Sequence, residues 1–507
     1  MRPIAVLLLT LLLSVAASAR DPYSRMTTYA GTLHSHSGTL GRLASQASLA
    51  GAAPPTCLTG GGNGDPRDAP VGYGCSCNTY AHAFGHPRLV YTRAFDGGLD
   101  YVGISHHTND VDQSSTTVTT FLSGISPTYS ELGSDDVWTF CDPPTNGLRM
   151  ADASCTRGTG GVGELAWLAE QAVLAMQDRP GHLAMVGGEY TVGSSPPTDG
   201  PTGGGHKVFM MDAADPIGTI CRDSALYTTV PTNLCKDQVT LFRLVRENRL
   251  LIQLAHPCST DGFTYFGPIN YATGGGFDPR AIFSLEVGCY SQNGCLLSPE
   301  SGKNAGGTYF AALDAGYHLA PAAADDIHHI PANTSHASCG NALDGLITGA
   351  RDRTVIWASD LSFASLRAAY RARLVYWARA GKPEARMYGY DEAGTTSNPD
   401  ARMGGFVQSA DSDFRLEATI TDGATFTDLE VWHNNALVLD ETDPDVVCST
   451  TTCTLTQHEF TSSIDGWWVL IARGTANVYD VITAPIWVNR QPDDFLGAPA
   501  IPFSLVP

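Results

Sequence analysis

The groups able to do chemistry in this 507-residue chain are imidazoles and carboxylates at the ends of apolar runs. His34 and His36 follow the run Tyr29–Leu33. Residues two apart in an extended segment point the same way, so both rings can face one cation. His106 and His107 follow Leu99–Ser105. Glu189 follows Leu183–Gly188, where Gly187 and Gly188 let a neighbouring backbone come close. His206 opens a strand after Gly203, Gly204 and Gly205, and His256, followed by Pro257, ends Leu250–Ala255. Asp326 and His328, again two apart, follow His318–Ala324. A divalent cation held by such groups lowers the pKa of its bound water to about 7. Two such ions can hold a bridging hydroxide and clamp both the attacking and the leaving oxygen of a displacement. The carboxylates offset the ions' charge, and Glu189 can bridge two ions where an imidazole cannot.

The elements that must position these groups alternate. Apolar runs at Tyr29–Leu33, Leu99–Ile104, Leu183–Val186, Lys207–Met211, Leu250–Ala255, Ala281–Val287, His318–Ala323 and Thr354–Trp357 read as strands. Helical patterns lie between them at Gly163–Gln177, Asp237–Glu247 and Gly307–Ala315, and a further helix is expected over Leu361–Ala380. Repeated strand–helix alternation predicts a parallel sheet or barrel, whose sites form at the strand ends. Lys207 follows His206, so strand alternation turns it away from that imidazole. From about Phe406 the pattern becomes alternating and β-rich, with turn signals at Asp422-Gly423, Asn434-Asn435 and Asp465-Gly466. That region reads as an antiparallel β-sandwich, with Trp467 and Trp468 as core residues and His433 and His458 facing solvent.

Read together, these motifs resemble the PHP (polymerase and histidinol phosphatase) metal-dependent hydrolases, and more narrowly the CehA/McbA-type branch. Leu33-His34-Ser35-His36-Ser37 is similar to the family's first motif. The strand ending in Ser105-His106-His107 is similar to its second, Gly187-Gly188-Glu189 with Gly205-His206 to its third, and Ala255-His256-Pro257 to its fourth. Leu285-Glu286-Val287 and Ala324-Asp325-Asp326-Ile327-His328 follow, and Val481–Val488 also looks like that branch. The resemblance implies an α/β fold, a distorted seven-stranded (β/α) barrel followed by the β-sandwich domain. It implies His34, His36, Glu189 and Asp326 around one divalent ion, His206 and His256 with Glu189 around a second, and His107 and His328 around a third, with Zn or Mn the usual metals. Thr32 and His106 stand where the family has Asp, which favours two ions over three and makes His106 an outer partner or substitute ligand. The implied reaction is attack of a metal-bridging hydroxide on a small-molecule phosphoester, ester or carbamate. The alternatives are a binding protein that keeps the fold with a degenerate metal site, and an adhesion protein that works through its β-domain.

Composition bounds these readings. A formal charge of −21 argues against nucleic-acid binding, which draws on a Lys/Arg surplus. Residues 1–19 read as a signal peptide: Arg2, the apolar run Ile4–Leu13, then Ala17-Ser18-Ala19. No later run approaches membrane-spanning length, so a secreted or periplasmic location is expected. Thirteen cysteines suit disulfides, with sequence-near pairs at Cys141/Cys155, Cys221/Cys235, Cys289/Cys295 and Cys448/Cys453. The expected domains are 20–384 for the barrel, with a Cys/Gly/Pro-rich insertion at 40–92, and 385–507 for the β-sandwich.

Overall fold

The structure, a computed structural model, describes residues 21–36, 87–107, 162–190, 207–214, 250–255, 282–289, 307–314, 316–324, 352–379, 381–391, 399–409, 413–421, 426–461, 464–474 and 478–490. The expected signal peptide, the helix at Asp237–Glu247, Asp422-Gly423 and most of the 40–92 insertion lie outside them. The described chain is mostly sheet with few helices, and it divides into two compact units. Among the described residues no helix is long and apolar enough to cross a membrane.

The first unit draws on Ala30–His318 and Ala322–Thr354. Its strands are β1 (Thr27–Thr32, whose first residues belong to the other unit), β2 (Tyr101–His107), β3 (Leu183–Tyr190), β4 (Lys207–Asp212), β5 (Leu251–Leu254), β6 (Ser284–Cys289) and β7 (Ala320–Ala324, whose first two residues also belong to the other unit). They stand side by side in sequence order. β1, β2 and β3 are parallel, and so are β5 and β6. β4 is antiparallel to both β3 and β5, which corrects the all-parallel expectation. A reversed β4 puts the start of that strand level with the ends of its neighbours: Lys207 pairs with Tyr190 on one side and Leu254 on the other. Every residue of β4 except Asp212 is buried, so both faces of the strand are covered.

The helices of this unit are α1 (Pro87–Asp96), α2 (Val162–Asp178) and α3 (Gly307–Asp314). α1 begins inside the stretch expected as an insertion, and its Val90 and Tyr91 are buried. Arg88 makes a two-pronged pair with Asp178 at 2.7 and 2.9 Å, tying α1 to α2. Gly187 lets β4 lie close against β3: a Cβ there would sit 1.8 Å from the Phe209 carbonyl oxygen.

The second unit includes Val355–Pro507. β8 (Arg353–Ala358) leads to α4 (Phe363–Arg371) and β9 (Val375–Ala378). β9 pairs antiparallel with β19 (Val478–Thr483), which ties this segment to the C-terminal sheet. Ser362 caps α4 by accepting the Ser365 N–H at 3.2 Å, and Phe363, Leu366, Ala369 and Tyr370 form its buried face. The helix expected to run to Ala380 stops at Arg371. Arg373 takes a positive φ of 54°, and Val375–Ala378 is buried at every position, as a covered strand is and an amphipathic helix is not.

The remaining strands are β10 (Glu384–Asp391), β11 (Ala401–Arg402), β12 (Phe406–Val407), β13 (Phe414–Thr421), β14 (Phe426–His433), β15 (Ala436–Leu439), β16 (Val446–Cys448), β17 (Thr452–Phe460), β18 (Gly466–Gly474) and β20 (Ile486–Val488). One sheet runs β11-β10-β13-β17-β16, all antiparallel. The other centres on β18, with β14 and its hairpin partner β15 on one side and β19 and β20 on the other. Asn434 and Asn435, both at positive φ, make the β14–β15 turn that their sequence signals. Trp468 joins the two sheets, with its ring 5.3 Å from Phe414 and 4.2 Å from Phe460. Both Trp467 and Trp468 are core residues. His433 stacks on Trp468 at 4.0 Å and His458 bonds Asp445 at 2.7 Å, so neither ring simply faces solvent as expected. Cys448 and Cys453 are disulfide-bonded across β16 and β17. The other expected cysteine pairs are not among the described side chains.

Candidate metal centre

β1 ends at Thr32, and the chain bends at Leu33 before the two histidines. The Thr32 hydroxyl accepts the His34 N–H at 3.3 Å, which fixes that bend. Ser35 then anchors the segment on β2: its hydroxyl donates to the Gly103 carbonyl at 2.6 Å, and its own carbonyl accepts the Ser105 N–H at 2.8 Å. With Ser35 pinned, the imidazoles on either side of it turn toward β3. His34, His36 and Glu189 are all fully buried.

Three ligand atoms converge there. His34 Nε2 and His36 Nε2 are 3.2 Å apart, and each lies 3.3 Å from Glu189 Oε2. A cation at the usual bond length of about 2.1 Å spaces its neighbouring ligands about 3.0 Å apart in an octahedron and about 3.4 Å in a tetrahedron. The observed triangle falls between the two, and its donors, two imidazole nitrogens and one carboxylate oxygen, suit a divalent metal ion. The residues therefore fit a metal. Glu189 supplies the negative charge, and the imidazoles can supply neutral lone pairs.

Behind the triangle sits a polar row. Glu189 pairs in register with Val208 of β4, Val208 with Gln253 of β5, and Gln253 with Ser284 of β6, so these positions share one face of the sheet. Glu286, two residues beyond Ser284, shares that face as well. Its Oε1 lies 2.9 Å from His34 Nδ1 and accepts the Gln253 side-chain N–H at 2.8 Å. Glu286 and Gln253 are buried polar residues to which the sequence reading gave no role. The available signal was a lone carboxylate in an otherwise apolar strand, at the alternate position to Ser284.

The other expected ligands stand as follows. His106 and His107 are the last residues of β2, and their backbone pairs in register with Gly188 and Glu189. Their side chains are outside the described set, as are His206, His256, Asp326 and His328 entirely. The described neighbours of three of these lie at or near strand ends: Lys207 follows His206, Ala255 precedes His256, and Ala324 stands two residues before Asp326. Lys207 sits on the opposite face of β4 from Val208, turned away as alternation predicts. It is 1% exposed, and burial pushes its ammonium down from 10.5 to about 7. Asp443, Asp445 and His458 form a second, half-buried group of potential ligands in the β-domain, a place sequence reading did not single out. There His458 makes an ordinary charge-assisted bond to Asp445 at 2.7 Å.

No protein-family model and no curated protein matches the chain. Among solved structures it is similar to a two-domain protein of Bacteroides vulgatus ATCC 8482 described as containing a predicted PHP-like metal-dependent phosphoesterase. The likeness is at 13% identity and a TM-score of 0.34, and it covers 90% of this chain and 96% of the other.

Proposed function

We propose that this chain is a metal-dependent hydrolase of small-molecule phosphoesters or related esters and carbamates, built on a PHP-type barrel and exported by its leader at 1–19. The observation that carries this reading is the buried triangle of His34 Nε2, His36 Nε2 and Glu189 Oε2, with edges of 3.2 and 3.3 Å. Three such donors, removed from water and aimed at one point, are costly to assemble unless a cation offsets the carboxylate.

In this reading the centre is larger than the triangle. In sequence His206 precedes Lys207 and His256 follows Ala255, and the pairing of Lys207 with Leu254 sets these two described ends beside each other. His106 and His107 end β2 beside Glu189. Asp326 and His328 follow the end of β7. With His34, His36 and Glu189, the residues His107, His206, His256, Asp326 and His328 would hold two divalent ions, with His106 as an outer partner or substitute ligand. A divalent ion so held supplies a Lewis acid and water acidified to near neutral pH. The protein's part is to fix the ligands on rigid strand ends and to keep competing water from the buried imidazoles.

The test is elemental analysis of the purified protein, joined to hydrolysis of p-nitrophenyl phosphate, bis-p-nitrophenyl phosphate and p-nitrophenyl acetate. We expect about two divalent ions per chain. Activity should disappear on chelation and return with Zn or Mn. His34→Ala should lose metal while its circular dichroism stays unchanged. Metal bound without turnover on any substrate class would favour the binding-protein alternative. Equal rates before and after complete metal removal would overturn the proposal.

A further inference from the structure

We infer that Glu286 is a positioning residue of the metal centre: it holds His34 in the tautomer that carries its proton on Nδ1, so that Nε2 offers its lone pair to the cation. The inference rests on the metal-dependent reading above and deepens it by naming what sets the ligand's chemistry. A neutral imidazole has one N–H and one lone pair, and only the partner of the second nitrogen decides which is which. For His34 that partner is Glu286, at 2.9 Å from Nδ1.

The direction of this bond follows from Gln253. Its amide nitrogen is 2.8 Å from the same Glu286 oxygen that faces His34. An amide NH2 can only donate, so Glu286 Oε1 accepts there. The flipped amide would set two acceptor oxygens 2.8 Å apart, and it would take the Gln253 carbonyl away from the Ser284 hydroxyl, which reaches it at 3.4 Å. Gln253 and Ser284 are held opposite each other by the β5–β6 register. As a carboxylate, Glu286 can only accept, so its Oε1 takes both bonds and the His34 nitrogen facing it is the one that carries hydrogen. The remaining nitrogen, Nε2, is the one in the triangle with His36 and Glu189.

All of these side chains are buried. The row Ser284–Gln253–Glu286–His34 therefore sets ring angle and tautomer before a metal arrives, and binding need not reorganise them. Loss of such an outer partner costs roughly 10- to 100-fold in metal affinity.

Two measurements test this. In metal-free protein labelled with 15N-histidine, long-range 1H–15N spectra report the tautomer of His34, assigned by its loss in His34→Gln. We expect Nδ1–H in the wild type, whether or not Glu286 variants fold. Competition of Co(II) against a chromophoric chelator then compares wild type with Glu286→Gln. We expect roughly 10- to 100-fold weaker binding in the variant, with an altered Co(II) visible spectrum and unchanged circular dichroism. An Nε2–H tautomer in the wild type, or equal Co(II) affinity in a folded Glu286→Gln protein, overturns the inference. Failure of the wild type to bind Co(II) at all, with His34 still Nδ1–H, counts against the metal-dependent reading and leaves the tautomer assignment standing.

Discussion

Replacement of Lys207 by Met should remove a pH dependence of stability that burial of this ammonium creates. Lys207 is 1% exposed on β4, and burial moves its ammonium from 10.5 to about 7. Between those two values the unfolded chain holds a proton that the folded chain does not, so stability rises with pH across this window and is lost as pH falls through it. Linkage makes the cost about 2 kcal/mol at about pH 9 and about 4 kcal/mol at about pH 7, after which it levels off. Met fills nearly the same volume and does not titrate, so the difference between the two proteins reports this group. The assay is urea denaturation of wild type and Lys207→Met at a series of pH values, read as the difference between the two. Other titrating groups cancel in that difference. Relative to wild type, the variant's stability should rise by about 2 kcal/mol from about pH 9 to about pH 7. Because Lys207 lies on the face opposite Glu189, metal content should not change. Parallel pH profiles for the two proteins would refute the reasoning, since they would mean that the ammonium stays charged and solvated in the folded state.

Further outcomes follow from the same structure. Gly187→Ala would place a Cβ 1.8 Å from the Phe209 carbonyl oxygen, so β3 and β4 must part; we expect a loss of about 3 kcal/mol in thermal unfolding and weaker metal binding through Glu189, two residues away. In the β-domain, Arg473 donates from Nε to Glu430 at 2.5 Å, with both side chains only 7% exposed. Arg473→Met removes the charge that offsets the buried Glu430 carboxylate and should cost about 3 kcal/mol; the double variant with Glu430→Met should recover part of it, because Glu430 also accepts the Trp432 indole N–H at 2.8 Å. Double-mutant unfolding curves measure both.

The parts of the site that sequence reading reached are those set by local spacing. His34 and His36 sit two apart beside a strand end, and Glu189 ends an apolar run with glycines before it; the structure brings these three together. Glu286 lay in a named strand, but nothing local says that its face meets His34 from 252 positions away. The direction of β4 was equally hidden, because an apolar run reads the same in either direction and only pairing fixes its sense. The helix expected to Ala380 failed for a different reason. The Ala/Arg content of Leu361–Ala380 favours a helix throughout, but Val375, Tyr376, Trp377 and Ala378 are all buried, and pairing with β19 outweighs the local preference. Alternation correctly turned Lys207 from the site but could not reveal that its own side of the sheet is covered too.

The reversed strand has a corollary. Because Tyr190 and Lys207 are register partners, the last residue of β3 and the first of β4 lie side by side, next to Glu189. A segment anchored that way can be lengthened, shortened or exchanged without disturbing strand order. Changes of length between these two anchors therefore leave the β3–β4 register, and with it the position of Glu189, in place.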